Sequence, residues 1–119
     1  MAKPLRGEVE VDLAGTKYTL RLGIGELEEI ENRTGLGTLE LLRSFGTNAK
    51  VGNARAVLGQ ALSEGGKKMS EARVKRIVES AGFKEAVSAC VTLLAAVLLD
   101  PNEGNAEAVE EVETTPTAA

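Results

Sequence analysis

Histidine and tryptophan are absent from the sequence, and cysteine occurs once, as Cys90. Without histidine the chain lacks the side chain that most often serves as general base or metal ligand near neutral pH, and a single cysteine forms no disulfide framework. Cys90 also sits inside an apolar run, where a sulfhydryl acts by default as a small hydrophobe. The carboxylates are scattered, so no nucleophile and base come within reach of one another, and no catalytic, cofactor-binding or metal-binding residue is expected. Phosphate-loop spacing is missing too: Gly23, Gly25, Gly35 and Gly37 fit neither G-x-x-x-x-G-K-[ST] nor G-x-G-x-x-G and read as turns. The longest apolar run, residues 86–99, stops at Asp100-Pro101, short of the roughly 20 residues that cross a bilayer, so no membrane span is expected. Residues 1–7 hold no apolar stretch of the kind a secretory signal needs, which gives a cytoplasmic expectation.

What is present is patterned. Val9, Val11 and Leu13 alternate with Glu8, Glu10 and Asp12, and after Ala14-Gly15 the alternation resumes with Tyr18, Leu20 and Leu22 against Lys17, Thr19 and Arg21. This period of two predicts an antiparallel hairpin over residues 7–22. Pairing Val11 with Tyr18 and Val9 with Leu20 sets Asp12 opposite Lys17 and Glu8 opposite Arg21, so hydrophobic and charge patterns select one register. At the turn Gly15 suits a positive φ and Ala14 does not, which argues against type I′.

Five helices are expected to follow. The first covers about residues 25–34, with Leu27 and Ile30 inward and Glu26, Glu28, Glu29 and Glu31 as a solvated face. The second, 38–45, is capped by Thr38 and repeats Leu39, Leu42 and Phe45. The third, 51–64, carries the stripe Val51, Ala54, Val57, Leu58, Ala61 and Leu62, and the fourth, 70–81, is capped by Ser70 with Val74, Ile77, Val78 and Ala81 inward. Gly82 leaves no room for a linker before the fifth, 83–99, so the last two helices meet at a sharp corner. The fold class is therefore α+β, with an N-terminal antiparallel hairpin packed on a bundle of about five short helices. Residues 1–99 are expected to form a single domain holding all 14 bases and 12 of the 18 acids. Residues 100–119 hold the other six acids, no base and little apolar surface, which predicts a disordered acidic tail.

Three surfaces are candidates for binding. On the fifth helix Phe83, Val87, Cys90, Leu94, Val97 and Leu98 make a bulky face for the core. Ser88, Thr92, Ala95 and Ala96 make a narrow small-residue face that, with Leu99, is a candidate partner-binding surface. The hairpin is the second candidate, through Val9, Val11, Tyr18 and Leu20 on two strands whose outer edges have no neighbour. Either surface would support a weak homo-oligomer. The third is the basic cluster Lys67, Lys68, Arg73, Lys75 and Arg76. A helix-turn-helix would use it on phosphates, but the intervening loop is long, the domain is barely basic and no aromatic residue is interleaved; nucleic acid is not expected.

The order of elements also carries a family pattern. Gly7-Glu8-Val9 alternating to a glycine turn, the return through Tyr18-Thr19-Leu20-Arg21-Leu22, and Leu27-Glu28-Glu29-Ile30-Glu31-Asn32-Arg33-Thr34-Gly35 leading into Leu39-Glu40-Leu41-Leu42 resemble the tail assembly chaperones of gene transfer agents and tailed phages. Val57-Leu58 to Leu62, Gly65-Gly66, Ser70 to Val78 and Gly82 follow the same pattern, so the resemblance spans residues 5–99. It implies a non-catalytic protein of the bacterial host cytoplasm, absent from the mature particle, that binds the tape-measure protein and helps bring tail-tube subunits to it. An apolar helix followed by an acidic tail suits such a task, because it offers a surface for another helix and charge for solubility. A structural tube or connector subunit of the same tail is the alternative reading, and a small DNA-binding regulator a weaker one.

Overall fold

Strands β1 (Glu8–Leu13) and β2 (Thr16–Arg21) pair antiparallel, with Val11 opposite Tyr18, Val9 opposite Leu20 and Asp12 opposite Lys17. This is the register in which the apolar and charged residues complement one another, and Lys17 and Asp12 approach to 4.0 Å on the outer face. The computed structural model describes residues 8–64 and 66–99; the expected acidic tail lies outside the described residues. Ala14 and Gly15 both take positive φ, 56° and 82°, the signature of a type I′ turn and contrary to the expectation from Ala14. An alanine there costs roughly 1 kcal/mol, and the Ala14 N–H offsets that by donating to Glu85 Oε1 at 2.8 Å, which ties the hairpin tip to the last helix.

Helices α1 (Ile24–Thr34) and α2 (Thr38–Thr47) start without a capping side chain of their own, since the residues before them are Gly23 and Gly37. In each, the glutamate of the first turn reaches back instead: Glu26 Oε1 accepts from the Gly23 N–H at 2.8 Å, and Glu40 Oε1 from the Gly37 N–H at 3.3 Å. Thr38 is thus the first helical residue of α2 and not its cap. Its N–H and hydroxyl both donate to Glu31 Oε2, at 2.9 and 2.8 Å, and lock α2 to α1. In α2 the buried pair is Leu41 and Phe45, with Leu42 half-buried and Leu39 half-exposed, a rotation from the expected stripe.

Helix α3 (Val51–Ala61) ends three residues before the expected Glu64. Ser63–Glu64 (β3) instead pairs antiparallel with Lys67–Lys68 (β4) around Gly66, whose φ is +80°. Ser70 Oγ accepts from the Arg73 N–H at 3.2 Å and caps α4 (Glu71–Ala81) as expected. Gly82, with φ at +91°, turns the chain through 112° into α5 (Phe83–Leu99).

The core forms where α3 and α5 cross beneath the hairpin: β1 lies on α5 and α4, β2 on α3, α1 on α3, and α2 on α5. Close approach of α3 and α5 is allowed by small residues, with Ala54, Ala86 and Ala89 buried and the Cys90 thiol donating to the Ala54 carbonyl at 3.7 Å. Leu13, Leu20, Ile30, Leu41, Leu58, Leu62, Leu93 and Leu94 fill the remainder. Each contributes about 1.5–3 kcal/mol by leaving water. The buried face of α5 runs through Ala86, Ala89, Cys90, Leu93 and Leu94; of the bulky set expected, Cys90 and Leu94 are fully buried and Val87 and Val97 half-buried against the core, while Phe83 and Leu98 stay 44% and 38% exposed. Among the described residues no single helix is long and apolar enough to cross a membrane.

Candidate functional site

The outer side of α5 is an apolar surface that the fold leaves open. Ser88, Val91, Thr92 and Leu98 are exposed along it, Ala95 and Ala96 are half-buried, and Leu99 at its end is 73% exposed. The expected small-residue face is therefore outside, and the rotation of the helix adds Val91 and Leu98 to it. Small side chains flanked by larger ones let another helix approach closely, so this strip suits a helical partner.

The hairpin offers less side chain than expected. Leu20 is fully buried, and Val9, Val11 and Tyr18 are half-buried against the core, because the inner face of the two strands is what seals the α3–α5 crossing. What the hairpin presents is its polar outer face and its backbone: the sheet has two strands, so among the described residues each keeps one unpaired edge.

The basic cluster is divided. Arg73 Nη2 lies 3.3 Å from Glu64 Oε2, and Lys68 Nζ donates to Gln60 Oε1 at 2.7 Å, while Lys67, Lys75 and Arg76 are exposed. Lys68 thereby faces α3 and joins cations that the linear reading did not group with it. Two clefts adjoin the Gln60–Lys68 pair. One, about 290 Å³, is walled by Arg33, Arg55, Met69 and Glu71. The other, about 320 Å³, is walled by Arg21, Glu26 and Lys67. Arg33 is held by Glu29 at 2.9 Å and by Glu71 at 3.5 Å, and the Glu29 hydrogen bond raises its pKa above the ordinary guanidinium value. Gln60, only 7% exposed, is the feature that sequence reading missed; the signal was a polar residue at the border of the apolar stripe of α3.

Other groups have structural partners. Of the α1 glutamates, Glu26 closes the helix start, Glu29 pairs with Arg33 and Glu31 holds Thr38. Cys90 is buried, its thiol pushed up to about 12 by desolvation, which leaves it neutral and unreactive in the folded state. No group of three or more metal-ligating side chains occurs among the described residues.

A family model described as phage tail tube protein, GTA-gp10, matches residues 6–100. No curated protein and no solved structure gives a match. The match agrees with the residue pattern on a phage or gene transfer agent tail, and describes a tube protein where that pattern resembles the chaperones of tail assembly.

Proposed function

The chain belongs to the phage tail tube protein family GTA-gp10, and from that premise we propose that it is a non-catalytic structural subunit of the tail tube or its connector. Membership gives it a phage-tail role among other tail proteins. The family description, covering residues 6–100, is the observation that carries the subunit reading. Strand edges that have no partner strand among the described residues and the apolar strip on α5 support it physically, because a subunit repeated along a tube needs more than one contact surface.

A second reading, the tail assembly chaperone, is favoured by the apolar strip of Val91, Leu98 and Leu99, which fits the helical tape-measure protein. The two readings part at the finished particle. Quantitative mass spectrometry of purified particles and of the producing cells decides between them. A tube subunit is recovered in particles in proportion to the other tail proteins. Recovery only in the cytoplasm of the producing cells, together with the tape-measure protein on affinity purification, would overturn the subunit reading in favour of the chaperone.

A further inference from the structure

We infer that the clefts beside Gln60 and Lys68 form a carboxylate-binding site, and that the acidic segment 100–113 of the same chain occupies it. Gln60 supplies the first observation. Its carbonyl accepts from Lys68 Nζ at 2.7 Å. An ammonium only donates, so this contact fixes which end of the amide faces Lys68 and leaves the NH₂ group to other acceptors, on a residue that lines both clefts. That group is buried and has no acceptor among the described residues.

Charge supplies the second. Arg55, Lys67 and Lys68 have no carboxylate within ion-pair distance among the described residues, while Glu71 on one side is already shared with Arg33. Glu26, on the other side, accepts from the Gly23 N–H. The unused groups are thus donors, Arg55 on one cleft, Lys67 on the other and Lys68 on both, and the several carboxylates of an acidic segment complement them. The wall of α3 is also open there: a Cβ built on Gly52 or Gly59 would meet nothing within 4 Å, so an incoming chain has room.

The occupant follows from charge and reach. Residues 100–119 carry six acids and no base directly after α5. From Leu99, Glu107 to Glu113 can extend roughly 25–50 Å at about 3.3–3.6 Å per residue, against a longest molecular dimension of 41 Å. Fully extended, Glu111 to Glu113 match or exceed that dimension, so the distal glutamates have the chain length to reach the clefts.

The test uses the full chain. Carbodiimide coupling at low salt, mapped by mass spectrometry, is expected to join Lys67 and Lys68 to glutamates 103–113. The yield should fall about fivefold at 1 M salt, where the Debye length is about 3 Å. It should fall as far in Arg55→Glu, whose side chain is exposed and whose melting temperature is expected to match the parent. Should that variant misfold, changing glutamates 103, 107, 110, 111 and 113 to glutamine provides the same test, read as a shift of the Gln60 side-chain NH₂ resonances. Coupling spread evenly over Lys17, Lys50, Lys75 and Lys84, or unmoved resonances, would overturn the site. Mixed heavy and light cross-links from an isotope mixture would overturn the same-chain occupant in favour of a second copy.

Discussion

Cys90 and Leu94 are one turn apart on α5, and each carries a measurable consequence of burial. The Cys90 thiol is raised from 9.0 to about 12 by desolvation. The unfolded chain therefore loses this proton near pH 9 while the folded chain keeps it, so the stability it contributes is complete below pH 9 and lost as pH climbs to about 12. Urea titrations across that window should show a fall on the order of a few kcal/mol that Cys90→Ala lessens; equal slopes in parent and variant would contradict it. Leu94 is fully buried, and Leu94→Asp places an unpaired carboxylate in the core, with an expected loss above about 4 kcal/mol. A variant melting with the parent would show that α5 is not central. Both residues were legible as core because an apolar run advertises its interior. Gln60 was not, since its burial depends on Lys68 arriving from β4, a contact that helical spacing in α3 does not encode.

Among the elements, the β1–β2 register could be read in full because two independent patterns, apolar alternation and charge pairing, agree on it. The helix starts were less legible. Thr38 has the chemistry of a cap, yet Glu31 claims its hydroxyl and Gly37 takes the cap position with help from Glu40. The end of α3 was misplaced because Ser63 and Glu64 are compatible with a helix, and only their pairing with Lys67 and Lys68 draws them into a strand. The hairpin turn failed for a similar reason: local preference spoke against Ala14, and a partner from α5 reversed it. Glu85→Ala should therefore destabilise the protein by about 1 kcal/mol. Ala14→Asn, which eases the positive φ, should raise stability by about 0.5–1 kcal/mol. Chemical denaturation of the two variants checks both signs, and a neutral Glu85→Ala would remove the turn–helix tie from the account of the fold.

At the scale of the molecule, strand edges with no partner strand among the described residues and the strip from Ser88 to Leu99 predict weak self-association. Light scattering over about a hundredfold concentration range should give a rising average mass. A constant monomer mass would leave the edges protected by Glu10, Lys17 and Arg21. The tie between Ala14 and Glu85 has another consequence, because it joins positions 71 residues apart. Synthesis runs from the hairpin toward α5, so the ribosome releases Val9, Val11, Tyr18 and Leu20 well before the helix that covers β1 has been made. At about 5–20 residues per second the interval is roughly 4–15 s, whereas a hairpin closes in about 1–10 μs. The hairpin segment thus spends seconds with its apolar residues uncovered, forming and opening many times before α5 is made, and the pace of translation through α3 and α4 sets the length of that exposure.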